Sequence, residues 1–450
     1  MGESVVREQV VLFFETYHTD SQKLHESFQL AGRRFPVVVI EENGFLPEDV
    51  QSIYGYFLGD YRAAPGGLGR PRYFNEIQVP PFWEISSNNV MGRVQDLCRE
   101  RARIFYASPK NRRQVQTVDW LDEKGTVRYS DHYNKYGAVY ARTTFDAAGK
   151  RVLKSYFSPG GEEVLVENYV TQDIILNQGD AVRIFRGKTE FAEYFFRLVG
   201  YDKYRIFFNT LSIPFFVSCR LPAGEKGDVL FWQEPVRDEI PGNMKLILSG
   251  QAARTGMIYV QKQQSYQRLM ELGANPEVVK PKGFAYPFVR RNQGRPAALI
   301  CTNSDQLEHC EQLVGALSGV EFHIAALTEM SSKLMALGRY ENVRLYPTVK
   351  TDMVNELFRT CDLYLDINHG GEILSAVQRA FLNNQVILAF ANTKHNDDVT
   401  GRENIFAPEN ADGMIEAIRH LTQEEPARKQ ALQQQKNWAL AETPEAFCSI

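Results

Sequence analysis

The sequence predicts an α/β fold: two Rossmann-like domains, with an antiparallel β-meander inserted into the first. Three observations predict it. From Arg295 onward, short apolar runs alternate with amphipathic stretches of helical length, the pattern of parallel strands joined by helical crossovers. Between Gln114 and Leu176, β-type runs are separated by tight turns such as Asp122–Gly125 and Asp146–Gly149, the pattern of local hairpins. On both sides of that stretch the α/β texture returns, so the meander interrupts a domain. The 450 residues suffice for about three domains at roughly 150 each.

The elements follow in order. Met1–Phe14 carries acidic residues around its apolar run and lacks the basic-then-apolar plan of a signal peptide. His25–Gly32 reads as a helix and Pro36–Ile40 as a strand. Gly66–Gly69 reads as a hinge at the insertion boundary. The meander runs through Val115–Trp120, Thr126–His132, Ala138–Phe145, Lys150–Phe157 and Glu163–Tyr169. Its tyrosines at 129, 133, 136, 140, 156 and 169 suit cross-strand packing. Glu190–Val199 is a helix. Strands follow at Tyr204–Asn209, Asp228–Trp232, Met244–Leu248 and Met257–Val260, then a helix at Gln264–Leu272. Phe13–Phe14 and Phe215–Phe216 read as core. Lys280–Gly283 and Arg290–Gly294 read as linker and crossover.

In the C-terminal part the strands are Pro296–Thr302, Val320–Leu327, Val343–Thr348, Leu363–Asn368, Gln385–Phe390 and Asn404–Phe406. The helices are Asp305–Leu317, Ser331–Leu337, Lys350–Cys361, Glu372–Asn383, Ala411–Leu421 and Glu425–Ala441. The expected domains are 1–66 with 186–285, an inserted sheet at 67–185, a second Rossmann-like domain at 286–430 and a terminal helix at 431–450.

Composition narrows function. Fifty-one Lys and Arg against 55 Asp and Glu give a net charge of −4, so the chain as a whole is no polyanion binder. Its 44% hydrophobic content excludes a disordered chain, and 28 Phe with 21 Tyr favour a large core or an extended binding surface. The six cysteines form no Cys-x-x-Cys pair, so we expect reduced, mostly buried thiols and no metal. No run reaches the ~18–20 apolar residues needed to span a bilayer, which places the expected chain in the cytoplasm or peripheral at the inner face of the cell membrane.

Two α/β domains with a cleft between them are the architecture of the GT-B glycosyltransferases. A retaining enzyme of that kind holds its nucleotide sugar with basic residues after the first strand of the second domain. It also uses a Glu-x7-Glu pair on the fourth helix, the second Glu accepting from the ribose hydroxyls. Here that helix region reads DINHGGEILSAVQRAF from Asp366 to Phe381. One register puts Gly371 and Arg379 at the two carboxylate positions; the other puts Glu372 and Ala380 there. Both lack the second carboxylate, and no Glu or Asp occurs from Ile373 to Asn396. After the first strand come Asn303, Ser304 and Asp305, which supply no cation and suit a helix N-cap. Gly371 and Arg379 are therefore degenerate catalytic positions. Lys282, Asn368, His369 and Glu372 are positional candidates for substrate contact at the cleft rim. Against them stand plain structural roles: a surface or salt-bridging Arg379 and a cap-region His369. Asp362 and Asp366 flank a strand with no partner cluster that suggests a metal.

The segments LHESF (24–28), PVVVIEENGFLP (36–47) and YGYF (54–57), with the inserted meander and the carboxylate-poor fourth helix, resemble one bacterial family. The chain looks like the stabilising subunit of the two-subunit O-GlcNAc transferase that modifies serine-rich repeat adhesins in the accessory Sec system. The resemblance implies a GT-B fold that has lost catalysis, with no cofactor of its own. It implies a catalytic glycosyltransferase partner that binds UDP-GlcNAc, association through the meanders of both subunits, a hetero-oligomer taken as a heterotetramer, and a hold on the Ser/Thr-rich adhesin polypeptide. Two other readings stand beside it: an active glycosyltransferase with a degenerate donor site, and a stand-alone peptide- or glycan-binding module.

Overall fold

The computed structural model describes residues 9–179, 181–222 and 227–450; the first eight residues of the Met1–Phe14 reading lie outside that range. The described residues form two compact units. One comprises those of Met1–His25, Arg34–Trp232 and Ile240–Ile258, the other Glu26–Arg33, Gln233–Glu239 and Tyr259–Ile450.

The chain opens with β1 (Val10–Phe14), α1 (Thr19–Leu30), β2 (Val37–Val39), β3 (Val50–Ser52) and α2 (Ile53–Leu58). Every residue of β1 is buried, as expected of a central strand covered on both faces. Ten strands follow: β4 (Glu84–Ser87), β5 (Met91–Asp96), β6 (Arg99–Tyr106), β7 (Val115–Leu121), β8 (Val127–Tyr133), β9 (Val139–Phe145), β10 (Arg151–Phe157), β11 (Glu163–Asn168), β12 (Ile174–Gln178) and β13 (Ala181–Phe185). They lie side by side in chain order, and each neighbouring pair is antiparallel. The chain then returns through α3 (Lys188–Val199), β14 (Arg205–Phe208), α4 (Ile213–Arg220), β15 (Asp228–Trp232), α5 (Gly242–Leu248), β16 (Thr255–Val260), α6 (Gln263–Glu271) and β17 (Val279–Pro281).

The first sheet has the order β17-β16-β15-β14-β1-β2-β3. Counted along the chain its strands run 3-2-1-4-5-6-7, which contains the doubly wound order of dinucleotide folds. The meander occupies the crossover from the third strand to the fourth, a surface connection that tolerates insertion. It is fastened to the loop after β2. Lys135 donates its backbone N–H to Gly44 O at 2.7 Å and its ammonium to Leu46 O at 2.7 Å; Tyr140 donates to Glu42 O at 3.0 Å. Gly44 is needed there: its φ is +79°, and a Cβ would stand 2.4 Å from Tyr133 O. Tyr133, Tyr140 and Tyr156 are buried, and Tyr156 stacks on Tyr54 of α2 with centroids 4.7 Å apart.

The second unit holds β18 (Ala297–Thr302), α7 (Cys310–Ala316), β19 (Glu321–Ala326), α8 (Ser332–Met335), β20 (Val343–Tyr346), α9 (Thr351–Thr360), β21 (Leu363–Asp366), α10 (Ala376–Leu382), β22 (Val386–Phe390), β23 (Ile405–Phe406), α11 (Ala411–Gln423) and α12 (Glu425–Trp438). Its sheet order, β20-β19-β18-β21-β22-β23, is again 3-2-1-4-5-6, with each registered pair parallel. Helix α12 runs through residues 430–431, where the sequence reading divides a terminal helix from the domain.

Several expectations are corrected. Met244–Leu248 is not a strand but lies in α5, which follows Pro241 and buries Met244 and Ile247 three residues apart. The meander is longer than 114–176, because β4, β5 and β6 are too polar to announce themselves. Lys280 and Pro281 belong to edge strand β17. Phe216 is exposed, whereas Phe215 is core. Of the six thiols three are buried, one is half-buried, and Cys98 and Cys448 are exposed. Helix α7 begins at Cys310 rather than Asp305, and α10 at Ala376 rather than Glu372. The last two changes shape the candidate site.

Candidate functional site

In a doubly wound sheet, ligands bind beyond the carboxyl ends of the strands where the strand order reverses. In the second unit that point lies between β18 and β21. The segments leaving them are the ones the sequence singles out: Asn303–Asp305 and Ile367–Glu372.

Here the chain bonds these segments to each other. Glu308 donates its N–H to Ile367 O at 2.8 Å, His369 donates to Gln306 O at 3.0 Å, and Leu307 forms a β-bridge with Asn368. Residues 303–309 are used in this bridging, which is why α7 starts late. Asn368 is buried and fully engaged. Its Oδ1 accepts from Thr302 Oγ1 (2.8 Å) and Gly370 N (3.0 Å); its Nδ2 donates to Asn303 Oδ1 and Gly371 O, both at 3.3 Å. His369 donates from Nε2 to Glu308 Oε2 at 2.5 Å, and Asn392 donates to the same oxygen at 2.9 Å. A Cβ on Gly370 would lie 1.9 Å from Asn303 Oδ1, whereas one on Gly371 would meet nothing closer than 3.9 Å.

The remaining candidates have structural tasks. Glu372 accepts from Val377 N at 2.9 Å and so caps the first turn of α10. Arg379 donates to Asn355 Oδ1 at 2.7 Å and lies 4.2 Å over the Phe358 ring, so it ties α10 to α9. Burial lowers its pKa. Lys282 has a different setting, over the rings of Tyr259 (5.5 Å) and Phe447 (5.2 Å), and burial lowers its pKa too. The structure thus brings Asn368, His369, Gly371 and Glu372 together around one loop. Asp362 is buried and accepts from Arg290 and from the backbone N–H groups of Gln293 and Arg295, which anchors the linker before β18.

Sequence reasoning missed His395. Its Nδ1 donates to Asp366 Oδ1 at 2.6 Å and its Nε2 to Gly370 O at 2.7 Å, while its backbone N–H reaches Asp366 Oδ2 at 2.7 Å. The hydrogen bond to Asp366 is the main cause that raises its pKa to about 9, so it is an imidazolium at neutral pH. The signal was available, because the 3-2-1-4-5-6 order sets the loops after β21 and β22 beside each other. Among the described residues no group of His, Cys, Asp and Glu is arranged to hold a metal ion, and no helix is long and apolar enough to cross a membrane.

Around this crevice Asp366 and Glu308 face histidines, Glu372 serves a helix end, and Arg379 serves another helix.

Four family models match in chain order: GtfB N-terminal domain over residues 11–57, GtfB middle domain over 83–186, GtfB third domain over 188–272, and GftB/GlyA-F C-terminal domain over 298–435. The stabilizing protein GtfB of the UDP-N-acetylglucosamine–peptide N-acetylglucosaminyltransferase of Streptococcus agalactiae is 40% identical over 444 residues, 98% of either chain. This chain belongs to the GtfB family. The Streptococcus gordonii GtfB is 43% identical over 400 residues, 88% of each chain. A chain from the crystal structure of a GtfA/B complex bound to UDP and GlcNAc matches with a TM-score of 0.88 at 40% identity, covering 97% of this chain and 98% of that one. TarM, at 12% identity and a TM-score of 0.50 over 98% of both chains, shares the fold alone. This chain is thus GT-B-like, and its family is that of the stabilizing subunits rather than of the catalytic ones.

Proposed function

We propose that this chain is the non-catalytic stabilising and co-activating subunit of a protein O-GlcNAc transferase. One observation carries the reading: at the switch point of the second unit the loops after β18 and β21 are bonded to each other through Asn303, Asn368 and the Glu308–His369 pair, with Gly371 and Arg379 at the degenerate catalytic positions. The catalytic partner supplies the sugar-donor site. This chain keeps the partner folded and helps present a Ser/Thr-rich adhesin polypeptide at the inner face of the membrane, in a heterotetramer. The inserted sheet, placed by the sequence at 67–185, is the association element, because its edge strands offer unpaired backbone groups.

Mixing tests the reading. The purified chain alone should transfer no GlcNAc from UDP-GlcNAc and show no saturable UDP binding by calorimetry. Added to a catalytic partner, it should raise that partner's soluble yield and rate. Transfer by this chain alone would sink the proposal.

A further inference from the structure

The first unit contains a cavity of about 250 Å³ beyond the carboxyl ends of β2 and β3, closed on one side by the β8–β9 turn of the meander. Its volume is below the ~300–1,000 Å³ of drug-sized ligand sites, so it suits a side chain rather than a nucleotide. Three tyrosines (Tyr61, Tyr136, Tyr140) and three carboxylates (Glu42, Glu48, Asp60) line it, with Lys135 as the cationic lining residue.

The outer part already shows how it holds an ammonium. Lys135 Nζ lies 2.7 Å from Glu48 Oε1 and 2.7 Å from Leu46 O, and 5.6 Å over the Tyr136 ring. Arg62 answers both Glu48 (3.3 Å) and Asp60 (3.9 Å). The rest of the lining has the same kinds of wall and no second cation among its residues. Glu42 accepts from Gly44 N at 2.7 Å and from Ser52 Oγ; among the described residues no Lys, Arg or His reaches ion-pair distance of it, although Lys154 feels its charge. Burial raises the pKa of Tyr140 and Tyr61, and the nearby Glu42 charge adds to it. Their hydroxyl protons are committed, Tyr140 to Glu42 O at 3.0 Å and Tyr61 to Phe157 O. The inner wall therefore offers rings and a carboxylate, and its hydroxyl donors are spent.

We propose that this cavity binds a primary alkylammonium group, with Glu42 as counter-ion and the Tyr61 and Tyr140 rings as cation–π walls. A lysine side chain on a bound polypeptide and a free amine share that chemistry. A phosphate or carboxylate ligand is excluded by the charge of the wall.

The test uses the full-length chain and reads binding by tyrosine fluorescence and calorimetry, with no sugar transfer involved, so its failure is separate from failure of the co-activator reading. The probes are n-butylammonium, n-pentanol, N-acetyl-lysine amide and N-acetyl-norleucine amide. Saturable binding is expected for both cations, at least tenfold tighter than for the neutral analogues, and weakened at least tenfold in Glu42→Gln. Tighter binding of the lysine amide than of butylammonium would assign a polypeptide source, and the reverse a free amine. Because Glu42→Gln can disturb the Ser52 contact, Tyr61→Leu is the second variant; it should weaken the cations more than the neutral probes. Equal affinity for charged and neutral probes, or cation binding unchanged in both variants, overturns the proposal.

Discussion

Gly370 has no room for a methyl group. Its missing Cβ position lies 1.9 Å from Asn303 Oδ1, and Asn303 cannot retreat without breaking its bond to Asn368. Gly370→Ala should cost ~1–3 kcal/mol, read as a lower melting temperature, whereas Gly371→Ala should cost much less. His395 makes a pH prediction. Its folded pKa of about 9 exceeds the ordinary 6.5, so the unfolded chain sheds this proton first. The stabilisation is complete below pH 6.5, on the order of 3 kcal/mol, and is lost as pH rises through 9. Urea midpoints of the wild type should fall across that window relative to His395→Gln. Lys154 runs the other way. Burial over the Tyr156 ring lowers its pKa to about 8, so its charged form opposes folding below pH 8 and that penalty fades towards 10.5. Lys154→Met should therefore gain stability at pH 7, on the order of 1 kcal/mol, and lose the advantage above pH 10.

At the scale of elements, α12 does more than cover the sheet. Strand β22 has only the two-residue β23 beyond it. The buried Gln435 side chain fills the remaining edge: its Oε1 accepts from Ile387 N at 3.0 Å and its Nε2 donates to Gln385 O at 3.1 Å. Gln435→Leu keeps the volume but strands a buried N–H and C=O. It should cost ~2–3 kcal/mol in chemical denaturation, against ~0.5 kcal/mol or less for the exposed Gln430→Leu. No sequence pattern announces such a contact, since one glutamine in a Gln-rich helix looks like its neighbours. What was legible is what periodicity and turn chemistry encode: the β18 and β22 apolar runs, the Asp-x-x-Gly hairpins, the α3 stripe of Phe191, Phe195 and Phe196. What was not legible depends on tertiary contact. Helix α10 reads as starting at Glu372 because the residues suit it. In the fold Leu374 and Ser375 take φ of 58° and 48°, and the would-be first turn is spent on the loop that follows β21. The missing second carboxylate could be read from composition; the His395–Asp366 pair, 29 residues apart, needed the strand order.

The whole molecule pairs two sheets of doubly wound order with a ten-stranded antiparallel sheet open at β4 and β13. An open edge is an aggregation hazard unless it is charged, bulged or covered. Strand β13 is not protected by its sequence, AVRIF, which carries one charge; Val182 and Ile184 are 62% and 64% exposed. Ile184 lies opposite Ile175, which in turn lies opposite Val166, so an apolar strip continues inward from the edge there, while Val182 lies opposite the polar Asn177. Under the co-activator reading a partner subunit covers this strip. Deleting the stretch 114–176 would be a poor test, because it removes interior strands and leaves β6 and β13 without their neighbours. The better test is Val182→Lys with Ile184→Lys. Both side chains already face solvent, so the melting temperature of the isolated chain should change by less than about 2 °C, as surface substitutions usually do. Co-purification with the catalytic partner should be lost, and with it the gain in partner activity. Retention of the complex by this variant would move the interface away from β13, leaving the edge at β4 as the remaining one on the same sheet.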